Sequence, residues 1–362
     1  MRDKRAFLAL EGGEVFRGFS CGAPVDALGE VVFITSMTGY QEVASDPSYA
    51  GQIVAFTAPE IGNYGANASD MESSNLFCNG LIFHELNPPS NFRSEYSFQE
   101  LLKIHRTPAI AGVDVRTLTL LLRQKGTQKA FLHCSDIEAA ETEGAARAAG
   151  WEGLDNQDYA AKVSTKEPYT FGDCALSLHA AVLDYGVKFN SLRLLESNGI
   201  RSTILPARST AEDVLKVKPD GVFLSNGPAD PAALKYAIET AKKLIGKVPL
   251  FGICLGHQLL GLACGADCGR LKFGHHGSNH PVKDLNSGAV LITSQNHNFA
   301  LRKQSLPSSI ELTHINLNDD TVEGIRHKSE PIFAVQYHPE AAPGPHDSAG
   351  LFSIFKQMMG RG

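Results

Sequence analysis

Four things are missing from this sequence, and each absence removes a class of function. There is no clustered run of Lys and Arg: 33 basic and 39 acidic residues are interspersed over 362 positions, for a net charge of −6. A nucleic-acid backbone calls for basic residues gathered on one face, so no nucleic-acid partner is expected. No stretch approaches the ~20 apolar residues of a membrane span. The apolar run in the N-terminal MRDKRAFLALEGG stops after AFLAL, short of the about 7–15 residues of a secretory core. A cytoplasmic chain without a membrane partner is the expectation. There is no CxxC pair either: the seven cysteines, at 21, 78, 134, 174, 254, 264 and 268, are dispersed and odd in number. That speaks against a disulfide framework and against a zinc site, including one at Cys264 and Cys268, and a reducing compartment suits it. Finally, neither GxxxxGK[ST] nor GxGxxG occurs, so no nucleotide site is expected in this chain.

What is present falls into two halves, as a length of 362 residues suggests. In the C-terminal half, HAAVLDYG (179–186), RSTILPA (201–207), DGVFLSNG (220–227) and VPLFGI (248–253) read as buried strands. Between them lie amphipathic helices: NSLRLLESNG (190–199), capped by Asn190 and stopped by Gly199; a short one opened by a capping box at Ser209 and Glu212; and DPAALKYAIETAKKLIG (230–246). AVLITS, SIELTHINL and PIFAVQYH extend the strand series, and SAGLFSIFKQMMG closes it as a helix. The N-terminal half has short strands (GEVFRGFS, EVVFITS, GQIVAFTAP, LIFHEL), a helix capped by Ser97 with Glu100, and a helix over 114–126 ending on Gly126. The expected fold class is α/β: a C-terminal mostly parallel sheet with helices on both faces and a nucleophile elbow, plus a smaller N-terminal α+β, β-rich domain. The expected boundaries are 1–138 for the N-terminal domain, 139–177 for a weakly periodic connector and 178–362 for the C-terminal domain.

The sharpest chemical feature is Phe251–Gly–Ile–Cys254–Leu–Gly256–His–Gln258, where an apolar strand meets a helix through a tight turn. It is the cysteine counterpart of the GxSxG elbow. Gly252 and Gly256 allow close backbone approach, a helix N-terminus stabilises a thiolate, and the Leu255 N–H is placed to donate to an oxyanion. Buried structural cysteine is the plain alternative, disfavoured by a glycine two residues either side. A nucleophile of this type needs a base, and the base an orienting group. Tyr337–His338–Pro339–Glu340, at the end of an apolar strand, supplies His338 for the first and Glu340 for the second. His275, His276 and His280 share no helix face and read as a structural loop rather than a metal site. His297 is either close to a substrate or part of a turn.

GICLGHQ and HPE resemble the triad-type (class I) glutamine amidotransferases. The N-terminal half narrows the resemblance. VVFITSMTGYQEVASDPSYAGQIVAFTAPEIGNYGAN (31–67), AGVDVRTL (111–118), LDYGVKFN (183–190), LSNGPADP (224–231) and GHHGSNHPVKD (274–284) are similar to the carbamoyl-phosphate synthase small-chain family, and the likeness covers nearly the whole chain. That resemblance implies a ligase subunit in which Cys254, His338 and Glu340 hydrolyse L-glutamine. It also implies a glutamine site at Ser36, Gly227, Leu255, Gln258, Asn296 and Phe299. The family usually has Gly at the positions of Ala229 and Asn298; a left-handed backbone there suits Asn better than Ala, and both changes bear on glutamine affinity. No cofactor is implied in this chain; ATP and Mg belong to a large partner subunit that takes the ammonia and makes carbamoyl phosphate for arginine and pyrimidine synthesis. A heterodimer follows, with a higher oligomer of heterodimers left open. The N-terminal domain would dock the partner and shape the ammonia exit. Two rival readings are a glutaminase component of another synthase, which the N-terminal segment opposes, and a catalytically dead regulatory subunit, which the intact triad opposes.

Overall fold

The computed structural model describes residues 4–136, 139–228 and 230–360. These form two compact units: residues up to Asp155 together with Lys272–His276, and Asn156–Leu271 together with Gly277 onward. Residue 138, the expected domain boundary, lies outside the described residues.

Seven strands of the first unit close into a barrel: β1 (Arg5–Leu10), β2 (Val15–Ser20), β3 (Ala27–Ile34), β4 (Gln52–Phe56), β5 (Gly80–Ile82), β6 (Ala109–Ala111) and β7 (Gln128–His133). Around the barrel the order is β1-β2-β6-β5-β4-β3-β7. The β3–β4, β4–β5 and β5–β6 pairs are parallel and the others antiparallel. Leu8, Val31, Ile53, Ile82, Ile110 and Leu132 make one aliphatic cluster with Leu118 and Leu122 of α2 (Val115–Lys125). The helix before it, α1 (Phe98–Ile104), carries the expected capping box: the Ser97 side chain accepts from the Glu100 N–H, and the Glu100 carboxylate accepts from the Ser97 N–H. Within the stretch read as a connector, α3 (Glu141–Ala149) is a regular helix, and its Ala148 packs with Phe7, Ala9 and Phe131.

The second unit is built on a ten-stranded sheet: β8 (Tyr169–Phe171), β9 (Leu178–Asp184), β10 (Ile200–Pro206), β11 (Gly221–Leu224), β12 (Leu250–Ile253), β13 (Cys268–Asp284), β14 (Val290–Leu301), β15 (Ile310–Asn316), β16 (Val322–His327) and β17 (Ile332–Val335). The order is β8-β10-β9-β11-β12-β17-β16-β15-β13-β14, and β10 through β17 in that order form a parallel core. Because side chains alternate along a strand, Ala180 and Val182 face one layer and Ala181 and Leu183 the other. The first layer holds α4 (Phe189–Ser197), through Leu192 and Leu195, and the last helix α8 (Leu351–Met359), through Phe352 and Phe355. The second holds α5 (Ala211–Lys216), α6 (Lys235–Leu244) and α7 (Leu255–Ala263). Both faces are covered, as the uninterrupted apolar strands required.

Three local expectations need correction. The cap residue of α4 is Lys188, not Asn190, whose side-chain amide instead donates to the Glu340 carbonyl; Gly199 does stop the helix, at φ 82°. The capping box of α5 falls one residue later, at Thr210 with Asp213, because Ser209 is used in a turn onto the Pro206 carbonyl. The helix expected over 230–246 begins as a single 3₁₀ turn, Pro231–Ala233, with Asp230 accepting from the Ala232 N–H. Leu234, at φ −93° and ψ 53°, separates that turn from α6. No helix among the described residues is long and apolar enough to cross a membrane.

Candidate active site

Cys254 is the single residue between β12 and α7, with φ 53° and ψ −104°. That conformation is rarely adopted by an L-residue and costs about 1–3 kcal/mol, so it persists only where the surroundings impose it. The surroundings do. The Cys254 N–H donates to the Val335 carbonyl of β17 (2.9 Å), and the Gly256 N–H to the Ser225 carbonyl beside β11 (3.1 Å). The two glycines serve by omission of a side chain. A Cβ on Gly252 would lie 2.7 Å from the Gly256 carbonyl carbon, and one on Gly256 would lie 2.1 Å from the Leu224 carbonyl oxygen. The strained backbone is thus that of Cys254 itself, and the glycines let strand and helix close around it. Leu255, the first residue of α7, has no intrahelical acceptor for its N–H.

On the neighbouring parallel strand, His338 follows β17. Its N–H donates to the Ser294 carbonyl (2.9 Å), and Nδ1 lies 2.6 Å from Glu340 Oε1. Its other nitrogen, Nε2, meets no oxygen or nitrogen partner among the described residues. Burial works against a charged ring, yet Glu340 and the neighbouring Cys254 more than offset it, and the His338 pKa is raised. For Glu340 burial works in the opposite sense to its neighbours: His338 and Lys188 hold the carboxyl below its ordinary range. Both side chains are inaccessible, at 2% and 0%. The arrangement is a buried imidazole oriented by a carboxylate through one nitrogen, with the other free toward the thiol.

Lys188 was not singled out from the sequence. It is 2% exposed, its ammonium is 3.4 Å from Glu340 Oε1, and it donates to the Ala341 carbonyl. An isolated buried ammonium is costly, so the Glu340 partnership accounts for its presence. The only hint was a lone Lys between Val187 and Phe189 at the end of an apolar strand.

The residues implied for glutamine fall as follows. Gly227 packs against the elbow: a Cβ there would lie 2.9 Å from Leu255 Cδ2 and 2.3 Å from the Tyr185 carbonyl oxygen. The Asn296 carbonyl accepts from Cys254 Sγ (3.5 Å). Gln258 Nε2 donates to the Phe299 carbonyl (2.8 Å), and the Phe299 ring lies 5.3 Å from the Arg270 guanidinium. Asn298 is buried within β14 and is not among the positive-φ residues, so this position makes no demand for glycine geometry. Ser36 belongs to the first unit, where it follows β3 and is buried. Ala229 lies outside the described residues.

The histidine-rich stretch is not a loop: His275, His276 and His280 all lie in the 17-residue strand β13. His297 is in β14 rather than a turn, with Nδ1 2.7 Å from the Phe299 carbonyl and Nε2 3.0 Å from Gln295 Oε1.

Similarity to known proteins runs along the whole chain. Residues 181–358 match the family model for class-I glutamine amidotransferases. Residues 8–132 match that for the CPSase domain of the carbamoyl-phosphate synthase small chain. The carbamoyl phosphate synthase small chain of Chlorobaculum tepidum is 49% identical over 100% of this chain and 99% of its own length. That of Vibrio cholerae is 48% identical over 98% of each. Among solved structures, a GMP synthase component from Thermoplasma acidophilum is 25% identical with a TM-score of 0.43, over 51% of this chain and 92% of its own.

Proposed function

The chain belongs to the carbamoyl phosphate synthase small-chain family, with a class-I glutamine amidotransferase domain, and from that premise we propose that it releases ammonia from L-glutamine through a thioester on Cys254. In this reading the Cys254 thiol passes its proton to His338 Nε2 and the sulfur attacks the side-chain carboxamide carbon. The Leu255 N–H donates to the resulting oxyanion. The carbon–nitrogen bond breaks, and the departing nitrogen takes the proton from His338 to leave as ammonia. Water then adds to the γ-glutamyl thioester while His338 accepts its proton. Breaking of the carbon–sulfur bond frees glutamate and restores the thiol. Glu340 keeps the ring in one orientation and favours its charged form, and Lys188 steadies Glu340.

The ammonia passes to a large subunit that uses ATP with Mg and bicarbonate. The carbamoyl phosphate made there feeds arginine and pyrimidine synthesis. Ser36, Gly227, Ala229, Leu255, Gln258, Asn296, Asn298 and Phe299 hold the glutamine. A cytoplasmic location fits the free thiols of all seven cysteines. The observation that carries the reading is the left-handed Cys254 set against a His338–Glu340 pair 2.6 Å apart.

The test is carbamoyl phosphate formation by the complex with the large subunit, using glutamine or ammonium as nitrogen donor, for wild type and Cys254→Ala. Loss of the glutamine reaction with the ammonium reaction kept is expected. A mutant that still uses glutamine as wild type does would remove Cys254 from the mechanism. Mass spectrometry of the wild-type chain with glutamine should find the acyl adduct on Cys254.

A further inference from the structure

Gln336 lies one residue past β17, is fully buried, and has no part in the chemistry above. Its side-chain carbonyl accepts from Gln258 Nε2 at 3.0 Å. The same Gln258 nitrogen donates to the Phe299 backbone carbonyl at 2.8 Å. A backbone carbonyl only accepts, so the group of Gln258 facing Phe299 is its NH2, and the group of Gln336 facing that NH2 must be its oxygen. Both protons on Gln258 Nε2 are thereby used. What Gln258 offers to anything else is a carbonyl oxygen, which accepts and cannot donate.

This orientation is bought at a cost elsewhere. Gln336 Nε2 is buried without a hydrogen-bond partner among the described residues. Its neighbour is the buried His257, whose imidazole burial pushes down to about 3, opposed by side-chain hydrogen bonding with Gln336.

We propose that Gln336 is a positioning residue that makes Gln258 acceptor-only, so that Gln258 Oε1 selects the α-ammonium group of the bound amino acid. Gln258 stands one helical turn after Cys254 on α7, its N–H donating to the Cys254 carbonyl (3.1 Å). A turn rises ~5.4 Å, close to the reach from the carboxamide carbon of glutamine to its α-nitrogen. With that carbon at Cys254 Sγ, the α-ammonium comes to the level of Gln258. A cation at a buried carbonyl oxygen is a strong, charge-assisted contact, whereas a rotated Gln258 would turn its own NH2 toward the cation. One strand end thus serves twice: His338 and Glu340 for the reaction, and Gln336 for substrate choice. The inference rests on the glutamine-site reading of Gln258.

The experiment is steady-state glutaminase kinetics of the complex with the large subunit. The substrates are glutamine and glutaramic acid, which is glutamine without its α-amino group. For Gln336→Met, which keeps volume but removes the acceptor, KM for glutamine should rise by about tenfold or more with kcat changed much less. Turnover of glutaramic acid should stay within about threefold, because it has no ammonium to place. Gln336→Glu, which retains an acceptor for Gln258 Nε2, should restore most of the glutamine KM. If the Met variant does not assemble, Gln336→Asn, which draws the acceptor back by one methylene, should show the same split between substrates. Equal losses for both substrates, or an unchanged KM for glutamine, would overturn the proposal. Gln258→Leu separates the two levels. If it leaves KM unchanged, the reading of the glutamine site fails and takes the inference with it. If it raises KM while Gln336→Met does not, the inference alone fails.

Discussion

In the barrel, the buried residues include Leu8, Val31, Ile53, Ile82, Ile110 and Leu132; at the carboxyl ends of β12 and β17 they include Cys254, Gln336, His338 and Glu340, with Lys188 beside them. The aliphatic set gains by leaving water, at about 25 cal/mol per Å² of apolar surface. The polar set loses hydration and recovers it only through specific partners. The barrel can therefore tolerate some reshuffling of shape, while the second site depends on each partner staying where it is. Burial alone does not say what a region is for; what the buried atoms are does.

The severest challenge to this contrast is Glu340→Gln. It keeps shape but leaves His338 and Lys188 without their shared anion. Glutamine turnover should fall on the order of 10⁴-fold, as when the orienting carboxylate of a triad is neutralised, and kinetics with glutamine against ammonium would read it. The same variant defines the pH dependence of stability. Glu340 is held low, so its contribution is present above the unfolded carboxyl value and is lost as pH falls through the lower folded one. His338 is raised, so its contribution is full below the unfolded imidazole value and is lost as pH climbs through the raised one. Wild type should exceed Glu340→Gln in Tm most in the interval between carboxyl and imidazole titration, and the gap should close toward both extremes. A gap that is flat with pH would mean the pair adds nothing to the fold.

Next in size is Leu132→Ala in β7. A cavity in the barrel should cost about 2–5 kcal/mol in denaturant unfolding while leaving kcat for glutamine within about twofold. A parallel loss of kcat would show that the barrel does more than pack. Smallest are the two capping boxes, one per unit. Ser97→Ala and Thr210→Ala should each cost about 1 kcal/mol by the same measurement, since both caps are exposed and neither touches the buried groups.

How much of this was legible depended on range. The elbow was, because strand, turn and helix are contiguous at 251–258 and the glycines mark the close approach. The capping box at Ser97 was, because its partners are three residues apart. Barrel closure was not: β1 pairs with β7 across more than a hundred residues, and parallel pairs sit beside antiparallel ones. The role of Asn190 was misread for the same reason, since a good local cap was claimed by a carbonyl at residue 340. Lys188 gave little sign because its partner is equally remote. The run of His275, His276 and His280 misled through Gly and Pro, which suggest a loop, yet β13 accommodates them.

One feature of the fold bears on self-association. A closed barrel presents no unpaired strand, whereas the ten-stranded sheet ends at β8 and β14. Three residues of β8 make a poor template for another chain. The 12 residues of β14 make a better one, with Val290 and Ile292 exposed. Its backbone is nonetheless occupied there: the Ile292 N–H donates to Asp347 (3.0 Å), and the Ser294 carbonyl accepts from His338 (2.9 Å). The segment that carries His338 is also the guard on the sheet's last strand. Damage that loosens it uncovers a sticky edge, so a preparation losing its glutaminase activity through that segment should begin to aggregate at the same time.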